Sequence, residues 1–290
     1  ASKSTEKLAY VTFLSSSQPD WWTGWIPFIE HDKYFTATRI LAYQFLHAPT
    51  TRTRRRIPFV VMVTSDVEQR KRRRLEQDGA RVVEVEDFEI DGEIFHPGSP
   101  RWKHDMTKLR INDLTDYSRL LFLDCDMIIT RSMDAIFDEP STQLRDSDAS
   151  VPEKHPPSRQ YIFSAVTHAT RNHTFPPTEK NGGFWDPIYF NSGFLVLRPD
   201  AEMLKYYVPN LSSDRFSWRF PQQNFLNFAH RGDGAVPWQR LPTHWNIVFP
   251  NLEDYEAGVA SLHDKWWSPY DKRLKEKFMA VKRDMEDYYA

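Results

Sequence analysis

A chain of 290 residues, 40% of them apolar, can bury one large core or two small ones. Its net charge of −2 argues against a dedicated nucleic-acid binder, and its single cysteine, Cys125, excludes an internal disulfide framework and a cysteine-rich zinc site. No apolar run of about 18 residues occurs, so no membrane span is predicted.

In chain order, Leu8 to Leu14 (LAYVTFL) reads as a buried strand with a polar exit at Ser15, Ser16 and Ser17. A long aromatic loop follows; its Trp21, Trp22 and Trp25 read equally as core or as a stacking surface. Residues 34–46 have helical spacing through Phe35, Ile40, Leu41, Tyr43 and Phe45. IPFVVMVT is a second buried strand, and Val67 to Asp78 is a charged helix ended by Gly79. ARVVEVE is a third strand, Met106 to Tyr117 an amphipathic helix, and RLLFLD a fourth strand. Residues 139–187 are rich in Pro, Ser, Asp and His and read as a long loop or inserted lid. IYFNSGFLVLRP returns to a strand pattern. Helices are predicted over Glu202 to Tyr207, from FPQQNFLNFAHR, and over Pro269 to Ala290. The alternation predicts an α/β fold with a largely parallel sheet, in which ligands bind beyond the carboxyl ends of strands.

Asp124 and Asp126 stand at such an end. Leu120 to Leu123 run straight into them, and charge there is costly unless solvated, paired or metal-bound. Two close carboxylates repel, and a hard divalent cation removes the repulsion. A plain polar loop explains Asp-Cys-Asp equally well from this stretch alone. Two basic clusters, Arg52 to Arg56 and Arg70 to Arg74, read as solvated faces in a near-neutral chain rather than as a phosphate or membrane surface. The sequons at Asn172 and Asn210 would permit glycosylation in a secretory lumen. The start shows no secretory apolar segment, and the chain opens with Ala1. The compartment stays open between the cytoplasm and a Golgi lumen reached behind an N-terminal anchor.

Several ordered motifs together resemble the retaining glycosyltransferases of family 8, the glycogenin and lipopolysaccharide galactosyltransferase group, and most of all its fungal nucleotide-sugar branch. The likeness spans about Leu8 to Pro269. It rests on LAYVTFLSS, on WKHDMTKLRINDLTDYSRLLFLDCDMII with its lysine-bearing helix and metal motif, and on FNSGFLVLRP, QQNFLN, LPTHWN and SLHDKWW. The resemblance implies a GT-A fold, a Rossmann-like sheet with a nucleotide-sugar cleft, in one domain. Residues 8–130 would form its nucleotide-binding half, 188–270 its sugar and acceptor side, and 271–290 a C-terminal helix. It implies Mn2+, with Mg2+ as the alternative, held by Asp124, Asp126 and His263. It implies a UDP-sugar donor contacted by Phe13, Ser15, Tyr34, Lys108, Cys125 and Lys265. Asn191, Ser192 and Gly193 would line the sugar pocket, with Gln223 beside the anomeric carbon and Gln222 next to it.

The sequence departs from the family where many members carry an acidic residue: it reads Gln222-Gln223-Asn224, with no carboxylate. The final motif, HDKWWSP, is also compressed. Two other readings compete. A haloacid-dehalogenase-type phosphatase also places Asp-x-Asp after an apolar strand, but on its first strand and with a later Asp-Asp, a dipeptide absent here. A nucleotide-sugar-binding protein of the same fold with weak or no turnover is motivated by the missing carboxylate.

Overall fold

The apolar run Leu8–Leu14 forms strand β1, buried from Ala9 onward. It belongs to a computed structural model that describes residues 6–16, 32–90, 95–98, 104–153 and 155–290. Ser17 and the tryptophans Trp21, Trp22 and Trp25 lie outside the described residues. Helix α1 (Lys33–Leu46) is capped by Asp32, whose Oδ1 accepts from the amides of Tyr34 at 3.1 Å and Phe35 at 3.0 Å. Strand β2 (Phe59–Val63), helix α2 (Gln69–Gln77) and strand β3 (Arg81–Glu84) follow. Gly79, at φ +98°, ends α2 in a conformation that L side chains rarely adopt.

Beyond a 3-10 helix at Asp105–Asp113 come β4 (Arg119–Leu123), β5 (Met127–Ile129), β6 (Arg145–Asp146), β7 (Gln160–Tyr161), β8 (Phe163–Thr167) and β9 (Phe190–Leu197). Helices α3 (Ala201–Asn210) and α4 (Pro221–Ala229) lead to β10 (Gln239–Arg240) and β11 (Ile247–Val248). Helix α5 (Leu252–Glu256), β12 (Ser261–His263) and α6 (Lys275–Tyr289) complete the chain.

Among the described residues the central sheet has seven strands in the order β10-β8-β9-β4-β1-β2-β3. The pairs β1–β2, β1–β4, β2–β3 and β8–β10 are parallel; β9 runs antiparallel to both β4 and β8. Alternate residues of β1 feed separate cores. Tyr10 and Leu14 pack with Phe35, Leu41 and Phe45 of α1, while Ala9, Val11 and Phe13 pack toward Met106, Leu109, Tyr206 and Phe225. Both faces are thus covered, which is why these strands read as continuous apolar runs. The carboxyl ends of β1, β4 and β8 share one edge with the start of β9, and the charged motifs gather there.

Two expectations need correction. Residues 139–187 are not simply a loop or lid: Phe163–Thr167 is a fully buried strand inside the central sheet. Its Ser164 and Thr167 disguise it, although Ser164 Oγ is satisfied by the Ser141 carbonyl at 2.5 Å. The predicted amphipathic helix from Met106 is a 3-10 helix ending at Asp113. Of its five buried residues, Met106, Leu109 and Asn112 recur every three positions, and the same period aligns Asp105 with Lys108.

The second basic cluster is largely paired within the chain, and in the first Arg55 has an acidic partner. Lys71 pairs with Asp32 at 2.6 Å and Arg74 with Asp78 at 3.0 Å, while Arg55 meets Asp138 and Arg72 meets Glu84. Of the sequon asparagines, Asn172 is exposed, whereas Asn210 is half-buried and donates to the Tyr206 carbonyl at 2.8 Å. No helix among the described residues is long and apolar enough to cross a membrane.

Candidate active site

Strand register assembles the charged end of the cleft. The Asp124 amide donates to the Gly193 carbonyl at 2.8 Å, so the first aspartate lies across from the glycine of Asn191-Ser192-Gly193. Strand β5 pairs antiparallel with β12, His263 opposite Met127, which delivers the histidine beside Asp126. Gln44 of α1 locks β5 in place: its amide donates to the Ile129 carbonyl at 2.6 Å and accepts from the Ile129 amide at 3.0 Å.

His263 Nε2 lies 3.3 Å from Asp126 Oδ1 and 3.9 Å from Asp124 Oδ2. One ligand atom from each of the three residues falls within 4.8 Å of the others. Lys108 Nζ bridges Asp124 Oδ1 at 2.8 Å and Asp105 Oδ1 at 2.9 Å, and Lys265 Nζ stands 3.4 Å from Asp126 Oδ2.

Opposing effects set the charges. Burial alone would raise Asp126, but the His263 hydrogen bond and the charges of His263 and Lys265 hold it well below the usual carboxylate range. Burial would lower His263, yet its bond to Asp126 pushes it up. Burial would likewise lower Lys108, and the Asp105 and Asp124 charges outweigh it and raise it. Cys125 is pushed up, first by burial and then by its two aspartate neighbours, so its thiol stays neutral.

These residues fit a divalent cation. Two carboxylates and an imidazole are a donor set that Mn2+ and Mg2+ accept, leaving further positions for oxygen ligands. The cradle also requires a glycine. A Cβ on Gly193 would come within 2.5 Å of His263 Cε1 and 2.6 Å of Asp124 Oδ2. His263 Nδ1 is buried with no hydrogen-bond partner among the described residues, so the ring's polar contacts lie on the carboxylate side alone.

The other end of the cleft is neutral. Gln223 Oε1 accepts from Asn191 Nδ2 at 3.0 Å and from the Ser192 amide at 3.2 Å. Its Nε2 donates to the Tyr189 hydroxyl at 2.9 Å, and that hydroxyl donates to Asn224 Oδ1. Asn191 Oδ1 accepts from the Gly193 amide at 3.0 Å, which ties this network to the charged end. Gln222 sits behind the pocket: it is 3% exposed, accepts from Ser192 Oγ at 3.0 Å, and its amide donates to Asp105 Oδ2 at 3.2 Å.

At the end of β1, Ser15 lies half-buried just past the strand, while Phe13 is buried among Val11, Met62 and Val85. Tyr34 meets the ring of Trp267 edge-on, with centroids 5.0 Å apart, and Trp266 Nε1 donates to the Lys33 carbonyl at 3.3 Å. The start of α1 therefore joins the loop bearing Lys265. Asp264 shapes that loop by accepting from the amides of Lys265 and Tyr270 at 2.7 and 2.6 Å. Sequence reasoning missed Asp105, Tyr189 and His168. Asp105 had a signal in its three-residue spacing from Lys108; the other two are placed by strand register alone.

The profile of Glycosyl transferase family 8 matches residues 28–273. Two uncharacterized proteins of Schizosaccharomyces pombe are similar. One is 25% identical over 304 residues, covering 91% of this chain and 76% of the relative; the other is 28% identical over 278 residues, covering 85% and 71%. Galactinol synthase 3 of Arabidopsis thaliana is 25% identical over 257 residues, covering 76% of this chain and 74% of its own length. Among solved structures, the glycosyltransferase GlyE of Streptococcus pneumoniae superposes with a TM-score of 0.55 at 14% identity, covering 98% of this chain and 64% of that one. The bifunctional glycosyltransferase WbbM superposes at 0.53 and 13% identity, covering 98% and 52%. These likenesses establish the GT-A type α/β fold, and with the profile spanning most of its length the chain belongs to glycosyltransferase family 8.

Proposed function

We propose that the protein is a metal-dependent, retaining hexosyltransferase that moves a hexose or N-acetylhexosamine from a UDP-sugar to an acceptor. The observation that carries this reading is the meeting of Asp124, Asp126 and His263 around a glycine-lined gap, next to a neutral amide network. When bound, Mn2+ or Mg2+ supplies positive charge against the charge that grows on the departing diphosphate. Lys265, a third exposed beside Asp126, adds charge on the same side. Lys108 holds Asp124 and Asp105 together and keeps the first aspartate in register. Tyr34 and Ser15 flank the uridine, and Asn191 and the Gly193 backbone border the sugar.

Retention through a covalent glycosyl-enzyme needs a nucleophile on the sugar's β face. None of Gln222, Gln223 and Asn224 is anionic. Front-face attack, with the departing diphosphate accepting the acceptor's proton, fits this chain, and Gln223 serves as a fixed amide dipole near the anomeric carbon.

The test begins with UDP. It should raise Tm only when Mn2+ is present, through binding linkage, and Asp126→Ala should abolish the shift. An equal shift in EDTA would sink the metal assignment. Nucleotide release across a donor panel then identifies the sugar, with UDP-galactose first because of the similarity to galactinol synthases. Proton NMR of the earliest product should show the α anomer. A UDP shift without release from any donor would favour the binding-protein reading.

A further inference from the structure

Beyond the amide network, apolar surface is exposed next to the start of β9. Trp185 is 76% exposed and Ile188 77%, the two most exposed of the large apolar side chains among the described residues. Both sit on the segment that feeds β9. Their backbone is firmly held. The Trp185 amide donates to the His168 carbonyl at 2.9 Å, and the His168 amide donates to the Tyr189 carbonyl at 2.9 Å. Asp186 turns the segment by accepting from the Ile188 amide at 3.0 Å, and Arg240 holds the Pro187 carbonyl.

His168 stands at the carboxyl end of β8, on the sheet edge that carries Asp124. Its ring centroid lies 6.3 Å from that of Trp185, 6.1 Å from Tyr189 and 5.9 Å from Phe249. Nδ1 is 2.9 Å from the Ala169 carbonyl and so carries the ring hydrogen. Burial lowers the ring's pKa and favours its neutral form. Nε2 is then a hydrogen-bond acceptor. Phe249 has φ +54°, a strained setting for an aromatic residue, and strain of this kind gathers at ligand sites. Tyr189 connects this surface to the reacting end, since its hydroxyl bonds both Gln223 and Asn224.

We propose that Trp185, Ile188 and His168 form the acceptor subsite, and that the acceptor presents a six-membered polyhydroxylated ring, a pyranoside or a cyclitol. One C–H face of the ring lies on the Trp185 indole beside Ile188. One hydroxyl donates to His168 Nε2, and the reacting hydroxyl points past Tyr189 toward Gln223. A flat aromatic anchor with a few fixed polar groups is how small polar rings are held. A protein partner would need some 800 Å² of matched surface on this side, far more than two isolated apolar side chains offer. The proposal rests on the transferase reading.

Saturation-transfer NMR with Mg2+ and UDP present tests it. The probes are methyl glucoside, methyl galactoside, methyl mannoside, inositol, a serine-containing peptide, and sorbitol as an open-chain control. At least one ring compound should receive saturation on one C–H face while sorbitol and the peptide do not. Glycoside against inositol then decides the source of the ring. Trp185→Ala should weaken that ring's binding about 10-fold or more, Trp185→Phe should retain most of it, and His168→Ala should weaken it several-fold. The metal-dependent UDP shift reports the donor site separately. With that shift intact, sorbitol or the peptide matching the rings, no ring binding, or full ring binding by Trp185→Ala would overturn the subsite and leave the transferase reading standing. Loss of the shift in the unmutated protein would instead remove the transferase reading, and this proposal with it.

Discussion

The two ends of the cleft are built from opposite chemistry. At one end Asp124, Asp126, His263, Lys108 and Lys265 form a charged cluster with every ionic contact within 4 Å. At the other, Asn191, Gln223, Asn224 and Tyr189 bond one another without a net charge. The charged end depends on its balance: remove one partner and the remaining buried charges are left uncompensated, which is costly. The neutral end depends on geometry, because each amide is useful only while its neighbours hold it oriented. The joint between the two is Gly193, whose carbonyl holds Asp124 and whose amide is held by Asn191.

The largest effect should come from breaking the charged end. Asp126→Ala removes a proposed metal ligand and the partner of His263 and Lys265 together. Turnover should fall by roughly 1000-fold or more, as expected when several kcal/mol of charge stabilisation are lost. Calorimetry with Mn2+ should show no binding at that site. Turnover within tenfold of the unmutated protein would mean that the cluster is structural.

The two ends also differed in how far they could be read from sequence. Asp-Cys-Asp after an apolar run points to a charged strand end, and the strands at Leu8, Phe59, Arg119 and Phe190 are legible because burial on both faces leaves long apolar runs. His263 has no local signal. It reaches Asp126 through two three-residue strands, Met127–Ile129 and Ser261–His263, which are too short to show any period. Tyr189 was silent for the same reason, since its role follows from the pairing of β8 with β9 and from the reach of α4. The family resemblance supplied His263 but not Tyr189 or His168. Buried strand β8 was hidden by Ser164 and Thr167, of which Ser164 finds its hydroxyl partner, the Ser141 carbonyl, only in the folded chain.

Next in size is the neutral end. Gln223→Ala frees Asn191, the Ser192 amide and Tyr189 at once. Turnover should drop about 10- to 1000-fold while UDP affinity stays similar, in line with the loss of one preorganised polar group. Gln223→Glu should not restore it, because a carboxylate cannot donate to the Tyr189 hydroxyl. Intact-protein mass spectrometry with donor alone should show no sugar on Gln222, Gln223 or Asn224. An adduct there, or full activity in Gln223→Ala, would mean that the amides are not acting as a neutral dipole.

The joint should respond more modestly. Gly193→Ala places a Cβ into the space shared by His263 and Asp124, and one of them must shift by a few tenths of an ångström or more. Affinity for Mn2+ should fall about 10- to 100-fold, the scale seen when the support of a metal ligand is disturbed. Far-UV circular dichroism should stay the same. Unchanged Mn2+ affinity would show that the gap is wider in solution than this packing allows.

The smallest effect concerns what anchors the neutral end. His230 follows α4, fully buried, with its ring stacked 3.5 Å from that of Phe163. Nδ1 donates to the Val236 carbonyl at 2.7 Å, and Nε2 accepts from the Tyr207 hydroxyl at 2.6 Å. Burial pushes its pKa down to about 3, only partly opposed by the Val236 bond. The unfolded chain takes up this proton near pH 6.5 and the folded chain does not, so the unfolded state binds more protons between those values. The stability contributed by a neutral His230 is therefore fully present above about pH 6.5 and is lost as pH falls toward 3, by at most about 1.4 kcal/mol per pH unit. His230→Gln can keep an acceptor for Tyr207 and a donor for Val236 but does not titrate. The variant should be less stable at pH 7.5, by about 1–2 kcal/mol for imperfect packing, yet should lose less between pH 6.5 and 5 than the unmutated chain. Urea melts at the three pH values measure both quantities. Parallel losses in the two proteins would show that carboxylates elsewhere set the acid limit and that the neutral wall does not need a neutral histidine behind it.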